Sequence, residues 1–200
     1  MSSCKSARRN RGCGPTDYGG CTTLRQMVDL FLADRRGLRA QEAAWYGHSD
    51  VEPTEGIHRA FFALEDEDRR DAHQWTYSKV TLHAFAEQLA RSAAVLGEAP
   101  GFDELYSGVE RGLGLQRGRK PLLVYDVARR LAFRFGYEPE VVYLHAGAER
   151  GANALRRGLG QPRSRPLDDF PTSMRTRLTP EQAEDFLCIV GEWLRPELWD

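Results

Sequence analysis

Apolar residues recur at helical spacing along most of this chain and almost nowhere alternate as a half-buried strand requires. Leu24, Met27, Val28, Phe31 and Leu32 form one face of a segment that starts at Thr22 or Thr23, runs to about Arg36 and stops at Gly37. A short helix is expected across residues 41–46. A further amphipathic segment from Thr54 carries Ile57, Phe61, Phe62 and Leu64. Over residues 78–97, Leu82, Phe85, Leu89, Ala93 and Leu96 follow the 3.6-residue period, with Gly97 just past the end.

A short helix over 102–110 leads into the glycine-rich stretch 108–121, which is expected to be a turn or hairpin. Val124, Val127, Ala128, Leu131 and Phe135 define a helix over 122–135, a short segment opens at Pro139, and a helix is expected over 148–159. Residues 161–171 hold three prolines and read as a loop. The last helix carries the clearest start signal: Thr179 as cap, Pro180 at the first helical position and Gln182 three residues after the cap. Ala183, Phe186, Leu187, Val190 and Leu194 supply its buried stripe. The predicted fold is all-α, about seven to nine helices. A basic, flexible arm is expected over residues 1–21 and a single helical domain over 22–200.

Composition narrows the class without naming a substrate. Over 200 residues, 41% are apolar and 28% charged, which suits a globular chain. The 19 Gly and 10 Pro follow no collagen-like pattern. No uncharged apolar run approaches the roughly 20 residues of a spanning helix, so no membrane partner is expected. The start, MSSCKSARRNRGCGP, leads into no apolar stretch, and the expectation is a cytoplasmic protein.

The net charge of -1 hides a segregation. Residues 1–20 sum to +3, 21–110 to -7, 111–165 to +8 and 166–200 to -5. The block 111–165 is therefore a concentrated basic segment, suited to a polyanion because each neutralised phosphate releases counterion. The alternative is that its arginines pair with the acidic flanks of the same molecule. Cys4, Cys13 and Cys21 lie near the start and Cys188 far away. Their spacings match no common zinc ribbon or finger, so the reading is reduced thiols and no cofactor, a glycine-flanked metal knuckle being the alternative.

The stretch LYSGVERGLGLQRGRKPLLVYDVARRLAFRFG carries the most chemistry. With Leu105 and Val109 in a first helix, Gly112-Leu113-Gly114 at a hairpin, and Val124, Ala128 and Leu131 in a second helix, it resembles the helix-hairpin-helix element of the DNA-glycosylase superfamily, here over about residues 102–136. Glycines let hairpin amides approach a phosphate, and a following helix start adds positive potential. The resemblance implies double-stranded DNA or another nucleic acid as partner. Gly112 and Gly114 would supply the amides, and Arg117, Arg119, Lys120, Arg129, Arg130 and Arg134 the countercharge. The insertion LQRGR lengthens the hairpin, and Pro121 removes a donor.

Members of that superfamily place a catalytic aspartate beyond the second helix, where this chain has His145 and no Asp. Some carry a hairpin lysine that forms a Schiff base, and Lys120 is near that place. More broadly, the order AHQW, PLLVYDVARRLAFRFGYEPEVVYLHAGAERGANAL and LTPEQAEDFLCIV is similar to a family of uncharacterised bacterial helical proteins, which implies one continuous domain and no particular activity.

Three residues are candidates for catalysis: Lys120, His145 and Asp126. Each has a plainer alternative. Lys120 can contact phosphate or face solvent. His145 can be a satisfied core histidine. Asp126 can pair with Arg129 or Arg130 along its own helix, where the functional reading has it orient His145 or Tyr143. Whether the chain is an enzyme stays open. Two functions follow as expectations: a DNA-binding helical protein, glycosylase-like or otherwise DNA-processing, and a non-catalytic helical interaction or regulatory protein that meets an acidic partner.

Overall fold

A computed structural model describes residues 17–65, 69–70, 74–114 and 121–200. The fold is predominantly α-helical, with ten α-helices and one two-stranded sheet among the described residues. In chain order they are α1 (Leu24–Asp34), α2 (Leu38–Tyr46), α3 (Pro53–Ala60), α4 (Lys79–Ala90), α5 (Ala93–Gly97), α6 (Phe102–Leu113), α7 (Pro121–Phe135), β1 (Val142–Tyr143), α8 (Gly147–Leu155), β2 (Ser164–Arg165), α9 (Thr172–Arg175) and α10 (Pro180–Val190). No described helix is long and apolar enough to cross a membrane. Two compact units divide the chain, one joining Met1–Arg36 to Pro139–Asp200 and the other formed by Gly37–Glu138.

In the first unit, α1 and α10 begin with the same device. Thr23 Oγ1 accepts from the Gln26 amide while the Gln26 side chain accepts from the Thr23 amide, and Thr179 and Gln182 repeat the exchange. Their apolar faces enter one core in which Leu24, Met27, Val28 and Phe31 meet Phe186, Leu187 and Val190. The Phe31 and Phe186 rings pack edge to face, 5.5 Å apart. Helices α8 and α10 approach backbone to backbone: a Cβ on Gly151 would lie 2.2 Å from the Leu187 carbonyl oxygen. The antiparallel pair Val142↔Arg165 and Tyr143↔Ser164 ties the run into α8 to the loop that leaves it.

Order starts before the expected end of the arm. Tyr18 is buried in this core, and the Asp17 carboxylate accepts from the Gly19 amide at 2.9 Å. Residues 17–21 therefore belong to the first unit, and residues 1–16 lie outside the described ones.

The second unit packs α7 against α2, α3 and α6, with α4 against α3 and α6. The long period over 78–97 is split. After Ala90, the Arg91 and Ser92 amides bond three residues back, and a new short helix begins at Ala93. The stretch expected to turn from Gly108 is instead helical to Leu113. Its glycine at 112 serves packing: a Cβ there would sit 2.5 Å from Leu89 Cδ1 of α4. Phe61 and Phe62, just past the end of α3, are fully buried although the helix no longer carries them.

Candidate polyanion-binding surface

The arginines of α7 are held inside the second unit. Arg129 makes a two-point bond to Glu42 of α2, Nη2 to Oε1 at 2.8 Å and Nη1 to Oε2 at 2.9 Å. The two side chains retain only 12% and 10% of their exposure. Arg130 is buried, donates to the Ala60 carbonyl at 2.9 Å and lies over the Tyr46 ring. With its amide oriented to donate to the Phe61 carbonyl, Gln74 accepts from Arg130 Nη1 at 2.8 Å. Arg134 bridges two carbonyls, His48 at 3.1 Å and Val51 at 2.8 Å, so it clasps the α2–α3 connection. The outward cationic stripe expected on α7 is thus replaced by three internal ties. A planar guanidinium with several donors suits that work better than any other side chain.

The expected phosphate-facing amides are also placed elsewhere. Gly112 lies within α6, and its carbonyl accepts from Gln88 Nε2 at 2.8 Å. The Gly114 amide closes the helix on the Arg111 and Glu110 carbonyls, with φ at +59°. Arg117, Arg119 and Lys120 lie outside the described residues.

Two of the three catalytic candidates lie among the described residues. Asp126 is buried in the second unit, and His145 belongs to the first. The carboxylate near His145 is Glu184 of α10, with Nδ1 to Oε1 at 3.7 Å and both side chains buried. The adjoining turn from β1 into α8 is strained, because Ala146 has φ +46° where a Cβ is crowded. Among the described residues no three His, Cys, Asp or Glu side chains are grouped to hold a metal ion. Cys21 is half-buried and Cys188 buried, while Cys4 and Cys13 lie outside the described residues.

Further exposed cations lie later in the basic block. Residues 150–165 carry five arginines and no acid. Arg150, Arg156, Arg157 and Arg163 are exposed. Arg165 alone turns inward, onto Asp169 at 2.9 Å and the carbonyls of its own loop. The basic block 111–165 read from the sequence contains this run, but none of the site residues expected from the sequence lies in it. The available signal was its complete lack of acidic residues. No protein-family model, curated protein or solved structure matches this chain.

Proposed function

We propose that this chain is a nucleic-acid-binding helical protein that holds a phosphodiester backbone by charge. One observation carries the reading: the acid-free run 150–165 turns Arg150, Arg156, Arg157 and Arg163 to solvent, and none of the four has an ion-pair partner among the described residues. Exposed guanidiniums concentrated in this way lower their mutual repulsion by gathering phosphates, and release of condensed counterions supplies much of the binding free energy. The reading stops at binding. Of the three catalytic candidates, Lys120 lies outside the described residues, and Asp126 and His145 fall in different units.

A second reading, a helical interaction protein with an acidic protein partner, is favoured by the engagement of Arg129, Arg130 and Arg134 within the second unit, which occupies guanidinium donors that a phosphate would need. Copurification separates the two. Nucleic acid carried through purification at low salt and displaced at high salt, together with direct binding of a short DNA duplex, is the expected result. Protein free of nucleic acid that ignores the duplex at low ionic strength overturns the proposal.

A further inference from the structure

The loop that leaves α8 is built from both sides of its backbone. Asn153 Oδ1, from the last turns of the helix, accepts from the Gly158 amide at 3.0 Å and the Gly160 amide at 3.1 Å. Arg165, on β2, answers from the other side: Nε donates to the Leu159 carbonyl at 2.8 Å, and Nη2 reaches the carbonyls of Gly158 and Gln161. Leu159 is buried and anchors the middle, and the Leu144 amide donates to the Arg163 carbonyl at 2.6 Å where the loop rejoins the sheet. The backbone polar groups are thus taken up inward, while Arg156, Arg157 and Arg163 point to solvent. Arg156 is steadied further by the Trp199 ring, its Cζ 4.4 Å from the centroid.

From this arrangement we infer that loop 156–163 is the phosphate-contacting element, a preformed cationic clamp that takes the backbone of duplex nucleic acid. The inference rests on the nucleic-acid reading above and assigns it a place. A guanidinium offers paired donors matched to phosphate oxygens, and a loop fixed before binding loses little conformational freedom on contact. Contacts of this kind position a duplex without reading its bases, so the clamp tolerates changes of base sequence. Asn153 and Arg165 act as positioning residues, because they hold the loop and touch no ligand.

The test uses the full chain and a short labelled DNA duplex across a salt series. Replacing two of the three outward arginines (R157A/R163A) is expected to flatten the log–log salt slope by about 2 and to weaken low-salt binding by roughly tenfold or more. The pair R25A/R36A removes the same charge from exposed positions at α1 and is expected to leave the slope unchanged. N153A keeps every arginine and is expected to weaken binding several-fold, with helical content by circular dichroism unaltered. A duplex of unrelated base sequence is expected to bind wild type equally well.

Wild-type binding with R157A/R163A at the wild-type slope, or an equal loss in R25A/R36A, overturns the loop assignment and leaves nucleic-acid binding standing. N153A that binds like wild type overturns the preformed clamp. Wild type that is silent on the duplex but retained by polyglutamate at low salt overturns the nucleic-acid reading itself.

Discussion

Replacing Arg129 by methionine keeps the reach of the side chain and removes its guanidinium. The structure sets the expected cost. Two charge-assisted bonds of 2.8 and 2.9 Å to Glu42 are lost, at about 1.5–3 kcal/mol each in general experience. Losing one member of a buried ion pair costs about 3–5 kcal/mol, because the other charge loses its countercharge away from water. Since each side chain keeps about a tenth of its exposure, the lower end applies, and R129M is expected to lose about 3 kcal/mol. E42L is expected to lose a similar amount. The double variant R129M/E42L replaces the pair by apolar groups and is expected to lie within about 1 kcal/mol of wild type. Urea unfolding measures all four proteins, with a shifted midpoint at constant slope as the sign of a pure stability change. The duplex salt slope of R129M is expected to match wild type. A single variant that loses less than about 0.5 kcal/mol while flattening that slope by about 1 would refute the internal assignment of this arginine.

Other consequences are local. G151A places a methyl 2.2 Å from the Leu187 carbonyl oxygen, so α8 and α10 must separate; a loss of about 3 kcal/mol is expected in urea unfolding. G20A, where a Cβ meets nothing within 4 Å, is its control and is expected to stay within about 0.5 kcal/mol. T179A breaks the capping box of α10 and is expected to cost about 1 kcal/mol, most of it restored by T179S.

Local signals made the helices legible. Thr179-Pro180-Glu181-Gln182 states a helix start within four residues, and the structure carries each of its bonds. The apolar faces of α1 and α7 were equally readable, because burial at helical spacing is a short-range pattern. Long-range pairing was not. The Arg129 guanidinium bonds Glu42, 87 positions away in the sequence. Helical periodicity carries no information about which distant carboxylate a turn will meet.

Glycine misled in a similar way. At 112 it permits α6 to approach Leu89 of α4, whereas sequence alone allows a turn with equal ease. Gly37, legible as the end of α1, also opens α2 in a left-handed conformation, φ +80°. The candidate surface was only partly visible. Charge counting found the block 111–165, but nothing in one dimension separates arginines held by carbonyls, as Arg134 is, from those facing water, as Arg157 is. That separation arises from packing.

The central claim is that the loop after α8, and not α7, offers this protein's cations to a phosphate backbone. Its most direct test is the difference in duplex salt slope between wild type and R157A/R163A. A wild-type slope of about -3 or steeper that flattens by about 2 in the variant is the predicted result. Identical slopes for the two proteins would contradict it.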